Sequence, residues 1–142
     1  MIPYVVDTSV AVKWFLPETH SELALTLFKP KYRLKVPDLF WLEIADVFRS
    51  HAVRRILSRA EAESAWRLCV QADLLTKSTD PSVAERALEL ALETGTRVYD
   101  CLFLSMALGE ECPLVTADRK FFNMIKKSPF QDQLVWVGDL QG

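Results

Sequence analysis

The sequence predicts an α/β fold: a mostly parallel central sheet flanked by helices, in three layers. Three observations carry that expectation. Short apolar runs without polar alternation each end in an acid or a turn residue, as strands buried on both faces do. Stretches of helical spacing lie between them, and the connections are short.

Tyr4-Val5-Val6 is the first such run, closed by Asp7. Residues 8–15 follow as a short helix stopped by Pro17, and Ser21 to Phe28 as another stopped before Pro30. Leu34-Lys35-Val36 before Pro37 is a weaker strand. Residues 38–57 place apolar side chains at 39, 40, 44, 47 and 48, one stripe of a helix. Glu61 to Ala72 is a further helix. Asp80, Pro81 and Gly95 read as N-cap, first-turn proline and C-cap around a helix over Ser82 to Glu93. Tyr99 to Leu108 is a helix ending near Gly109. The strand Leu114-Val115-Thr116 precedes a helix from Asp118 to Ile125, and Leu134 to Val137 is the last strand.

With 142 residues, half of them hydrophobic and a quarter charged, one folded domain spanning 1–142 is expected. Four glycines, with neither G-x-G-x-x-G nor a P-loop pattern, argue against dinucleotide and P-loop nucleotide binding. Three scattered cysteines, Cys69, Cys101 and Cys112, suit buried thiols in a reducing compartment better than a disulfide framework or a zinc site. The N-terminus lacks a basic segment, its apolar run stops at Asp7, and no stretch approaches a membrane span. A cytoplasmic protein with no membrane attachment is expected.

Four acids sit where a core would exclude them. Asp7 and Asp118 occupy equivalent strand-to-helix junctions, and in open parallel sheets ligands bind beyond the carboxyl ends of the strands. Either alone could be a helix cap. Together, with hydroxyls at Thr8, Ser9 and Thr116 around them, they suggest a shared site. Glu43 lies inside the apolar stripe of its helix, so it is either ion-paired, for example with Arg49, or a ligand. Asp100 opens a helix that is hydrophobic nearly all round, as a dipole partner or a ligand. His20 and His51 lie in polar or basic surroundings and read as surface residues. Carboxylates without imidazole or thiolate suit Mg2+ or Mn2+ rather than zinc, and such ions commonly serve phosphate chemistry.

The stretches Val5 to Phe15, Pro37 to Glu43, Tyr99-Asp100 and Leu114 to Phe121, in this order and spacing, resemble the PIN-domain ribonucleases, specifically the toxin half of VapBC-type toxin–antitoxin pairs. The resemblance covers the chain from first strand to last. It implies a single PIN-like domain and a metal-dependent RNA endonuclease with Asp7, Glu43, Asp100 and Asp118 as the acidic site. Asp7, Asp100 and Asp118 would hold one or two Mg2+ or Mn2+ ions, and Glu43 would position or deprotonate the attacking water. Thr8 or Ser9, and Thr116, would orient ligands or waters. It further implies a homodimer and a cognate antitoxin. The chain departs from the family in carrying Cys101 where a small residue often follows the third acid.

The net charge of −2, taken alone, disfavours nucleic acid, but the charges are segregated. Twelve of the seventeen bases fall in three acid-free runs: Lys29, Lys31, Arg33 and Lys35; Arg49, Arg54, Arg55 and Arg59; and Arg119, Lys120, Lys126 and Lys127. The second run continues the helix of Glu43 and the third follows Asp118, so Arg49, Arg54, Arg55, Arg119 and Lys120 are candidate RNA contacts. A solvated helix face is the alternative. Trp14, Phe15 and Trp41 are either core or part of a dimer seam or antitoxin groove. A haloacid-dehalogenase-type phosphotransferase would need an Asp where Ser9 stands, and a receiver-type domain an acidic pair that Asp7-Thr8 lacks. The rival reading is a PIN-like RNA-binding or protein-interaction module without turnover.

Overall fold

Val5 and Val6 point to opposite faces of one strand, and both are fully buried, as are Leu114, Val115 and Thr116. Only a sheet covered on both sides buries consecutive strand residues, and that requirement sets the layers. The computed structural model describes residues 1–141. It has five strands: β1 (Ile2–Val6), β2 (Tyr32–Pro37), β3 (Leu74–Lys77), β4 (Leu114–Thr116) and β5 (Leu134–Trp136). All pair in parallel, in the order β3-β2-β1-β4-β5. The chain therefore winds outward from β1 through β2 to β3, then returns to the other side of β1 for β4 and β5. The direction reverses between β1 and β4, where Val6 is in register with Val115. Such a switch point opens a crevice at the carboxyl ends of the two strands.

Among the described residues, seven α-helices cover the sheet: α1 (Thr8–Phe15), α2 (Ser21–Leu25), α3 (Leu39–Val53), α4 (Arg59–Gln71), α5 (Pro81–Thr94), α6 (Val98–Gly109) and α7 (Arg119–Lys126). The apolar sequence of α6 buries every residue from Cys101 to Ala107. That helix lies against β1, β2 and β4 and packs on α5. α1 packs on β4, α2 and α3, and α3 pairs with α4. The predicted stripe of α3 faces inward through Phe40, Ile44 and Phe48, which are buried, with Leu39 and Val47 partly so. The predicted caps of α5 are present: Asp80 accepts from the Val83 amide, Pro81 opens the helix, and Gly95 closes it at φ 74°.

The structure amends several expectations. β3 is a fifth strand that shows no apolar run, because as an edge strand it exposes Leu75, Thr76 and Lys77. α3 ends at Val53 rather than 57, where Arg55 adopts φ 61° and the Ile56 and Leu57 amides fold back onto the His51 carbonyl. The segment from Ser21 is an α-helix only to Leu25 and continues as a 3-10 turn to Phe28. Helix α4 begins at Arg59, two residues early, because Ser58 and Glu61 form a reciprocal capping box. β5 stops at Trp136, with Val137 already in a 3-10 turn. His20 and His51 are half-buried rather than on the surface: His20 packs edge-on to Trp136, and His51 Nδ1 meets the Val47 carbonyl. Trp14 is buried and donates its indole N–H to the Ala24 carbonyl, Phe15 packs on Phe48, and Trp41 packs on Trp66. All three cysteines are free and buried. No helix among the described residues is long and apolar enough to cross a membrane.

Candidate active site

Asp7 leaves β1 at the switch point and stands before α1, yet its side chain caps nothing. It turns instead across to β4, where it is 7% exposed and its Oδ2 accepts from Ser9 Oγ and, at 2.9 Å, from Thr116 Oγ1. Both hydroxyls are themselves held by backbone amides. Ala117 N–H donates to Ser9 Oγ at 3.0 Å, and Asp118 N–H donates to Thr116 Oγ1 at 3.1 Å. Each hydroxyl accepts from an amide and points its proton at Asp7. The loop carrying Asp118 is thereby tied to Asp7 through two side chains.

Asp118 is the N-cap of α7, accepting the Phe121 amide at 3.1 Å through Oδ1, so the cap interpretation holds for it. Asp100 stands where a dipole partner would. Asp100 sits in the first turn of α6 without a capping hydrogen bond, since Arg97 occupies the cap position. Glu43, on α3, accepts from Thr8 Oγ1 at 2.7 Å. The ion pair with Arg49 does not form, because Arg49 bonds Asp46 instead at 2.8 Å. Thr8, Ser9 and Thr116 are thus all engaged, Thr8 with Glu43 and the other two with Asp7.

The four acids share one electrostatic environment. Burial raises Asp7 above the usual carboxylate range, Asp118 adds to this, and the hydroxyls of Ser9 and Thr116 oppose it. Burial also raises Glu43, with Asp7 contributing and Thr8 and Arg97 opposing. Asp100 is pushed up to about 6, by burial first and then by Asp7, Asp118 and Glu43, against Arg97. Anions arranged this way favour protonation or a cation. As oriented, no three of them stand at ligand spacing among the described residues. Asp7, Glu43 and Asp118 each have an oxygen turned to a hydroxyl or an amide. The donor set is nonetheless all oxygen and strongly anionic, which suits a hard divalent cation.

Arg97 belongs to this site and has no motif to announce it. Its guanidinium lies over Tyr99 and acts on both Glu43 and Asp100. The basic runs distribute less favourably than their sequence suggests. Lys29 and Lys31 precede β2, at the amino ends of the strands and away from the crevice, and Lys35 is paired with Glu110 at 3.2 Å. Lys126 and Lys127 close α7, roughly 12 Å along the helix from Asp118. Arg49, Arg54, Arg55, Arg119 and Lys120 are exposed. Arg54 lies about 16 Å along α3 from Glu43, and Arg119 and Lys120 adjoin Asp118 directly. Cys101 is buried with Sγ 2.9 Å from Thr96 Oγ1, enclosed rather than offered as a reactive thiol.

Both the sequence and the fold are similar to those of known proteins. The model of the family described as PIN domain matches residues 4–127. The chain belongs to the PIN-domain family. Within it, the chain is 31% identical over 120 residues to Ribonuclease VapC3 of Pyrobaculum aerophilum, covering 82% of this chain and 89% of that protein. In fold, this PIN domain is similar to PAE2754 of Pyrobaculum aerophilum, with TM-score 0.74 and 19% identity over 98% of this chain and 86% of the other. It is also similar to a chain of a toxin–antitoxin complex from Klebsiella pneumoniae, with TM-score 0.67 and 17% identity over 93% and 95% of the two chains.

Proposed function

We propose that this PIN domain is a divalent-metal-dependent endoribonuclease that hydrolyses RNA phosphodiester bonds as the toxin of a type II toxin–antitoxin pair. The observation that carries this reading is the group of mutually interacting acids at the β1–β4 switch point. There Asp7, Glu43, Asp100 and Asp118 are gathered around a core of hydroxyl and amide bonds, in a chain whose relative is a ribonuclease. Asp7, Asp100 and Asp118 are the residues to hold Mg2+ or Mn2+. When bound, the ion polarises the scissile phosphate and lowers the pKa of water. The protein's own groups do the rest. The amide-to-hydroxyl chains of Ser9 and Thr116 fix Asp7 in one orientation, and Thr8 fixes one oxygen of Glu43. Glu43, with its affinity for protons raised by burial, positions the attacking water and accepts its proton. Arg97 offsets part of the acidic surplus beside Glu43 and Asp100.

Arg49, Arg54, Arg55, Arg119 and Lys120 supply contacts to the RNA. The partner that silences the enzyme is an antitoxin protein, as the complex from Klebsiella pneumoniae suggests; the working form is proposed to be a homodimer. An RNA substrate and three free buried thiols support a cytoplasmic location.

Cleavage of a generic single-stranded RNA tests the proposal. With Mn2+ or Mg2+ the wild type cleaves; excess EDTA abolishes cleavage and added metal restores it; Asp100→Asn is inactive. Binding without cleavage in either metal would identify a non-catalytic module instead. For the basic surface, the double variant Arg54→Glu/Arg55→Glu is expected to weaken RNA binding about tenfold. The slope of log affinity against log salt should fall by roughly 0.7 for each phosphate no longer neutralised. An unchanged slope assigns both arginines to a solvated helix end.

A further inference from the structure

Beside the acidic crevice, the carboxyl end of β5 carries a group of side chains that the cleavage chemistry does not use. Trp136 is in register with Thr116, the residue whose hydroxyl holds Asp7, so its backbone stands about 10 Å across the sheet from β1. Arg119, the residue after Asp118, lies with its guanidinium carbon 3.7 Å from the centre of the Trp136 ring. Arg119 is exposed and makes none of the salt bridges found among the described residues. The Asp118 cap fixes the backbone from which it projects.

The tryptophan is fixed from its other sides. Phe122 meets it edge-on at 5.5 Å and His20 at 6.3 Å. Gly138 approaches so closely that a Cβ there would come within 2.8 Å of Trp136 Nε1 and 3.1 Å of His20 Nε2. The ring is hemmed in, and Arg119, whose guanidinium rests on it and lies 5.6 Å from the centre of the Phe122 ring, is itself exposed to solvent. A planar cation with one face supported by an aromatic ring and the other free is suited to stacking on a nucleobase, more than to pairing with a phosphate alone.

From this geometry we infer that Arg119, supported by Trp136, is the stacking platform for an unpaired base of the nucleotide flanking the scissile phosphate. The substrate is then recognised as single-stranded RNA at that position. The inference rests on the RNA-cleaving reading above and adds the moiety that is bound. Arg119 touches the base; Trp136 and Gly138 are positioning residues that act through it.

The test is a chemical double-mutant cycle read as binding. Fluorescence anisotropy in EDTA keeps the RNA whole, and the probe is a labelled single-stranded octamer, intact or with an abasic site at each position in turn. For the wild type, removing one particular base should weaken binding about tenfold, while removing others has little effect. Arg119→Lys keeps the charge and loses the plane; it should bind intact and abasic RNA equally, with an unchanged salt slope. Trp136→Leu should lose the same base sensitivity, and Trp136→Phe should recover it in part. If the wild type binds the octamer with no base sensitivity, or if Arg119→Lys retains that sensitivity in full, the platform is refuted while RNA recognition stands. If no octamer binds, the RNA reading itself fails and takes the platform with it. Should Trp136→Leu fail to fold, Arg119→Lys decides the matter alone, because its side chain lies on the surface.

Discussion

Asp7→Asn is expected to reduce RNA cleavage about a thousandfold while leaving the metal-free protein more stable than the wild type. Loss of one directly acting electrostatic group commonly costs two to three orders of magnitude, and here the lost charge is the most deeply buried of the four. The stability gain follows from the surroundings of Asp7. Burial and the neighbouring Asp118 both raise its proton affinity, so the metal-free fold resists the carboxylate's charge. An asparagine keeps an oxygen that can accept from Ser9 and Thr116, and it brings no charge into this buried position. Each kcal/mol so relieved raises the melting temperature of a chain this size by about 3 °C. Differential scanning calorimetry in EDTA alongside a gel cleavage assay reads both effects. A variant that is inactive but destabilised would mean Asp7 is principally structural, and one that cleaves at the wild-type rate would remove Asp7 from the machinery.

The acids were legible in sequence because each stands where its local pattern forbids a charge. Glu43 interrupts an apolar stripe, Asp100 is the one charge in a helix otherwise largely buried, and Asp7 and Asp118 follow strands that have no polar face. A misplaced charge needs a partner, and that need is local information. What stayed hidden depends on topology. The basic run before β2 looks like a nucleic-acid patch until parallel pairing puts Lys29 and Lys31 at the opposite end of the strands. Arg97 lies in a loop with no periodicity, and only the fold brings it to Glu43, 54 positions earlier. The stack of Arg119 on Trp136 likewise needs the β4–β5 register. β3 escaped for a different reason: an edge strand half in water has no distinctive apolar run. Net charge was the least informative number, since −2 averages an acidic crevice against the exposed bases beside it.

The second large effect is a pH dependence that runs against ordinary acid denaturation. In the absence of divalent metal, stability is expected to rise as pH falls from 7 towards 4.5. Asp100 has its folded pKa raised to about 6 from a reference of 3.8, so between those values the native state binds more protons than the unfolded state. Stability then falls as pH rises through that window and levels off above it. The full shift corresponds to about 3 kcal/mol, but Asp100 is partly solvated, and screening reduces its share to roughly 1 kcal/mol. Asp7 and Glu43 are shifted in the same direction and add to the slope. Below about pH 4 the sign reverses, because Asp38, hydrogen-bonded to Thr79, has a lowered pKa, and its stabilising contribution is lost on protonation. Urea melts at half-unit pH intervals in EDTA check the profile. Asp100→Asn should flatten it, and saturating Mn2+ should flatten it in the wild type, because a bound cation offsets the repulsion that protons relieve. A slope identical in wild type, Asp100→Asn and Mn2+-loaded protein would place the titration elsewhere and remove Asp100 from the cation's surroundings.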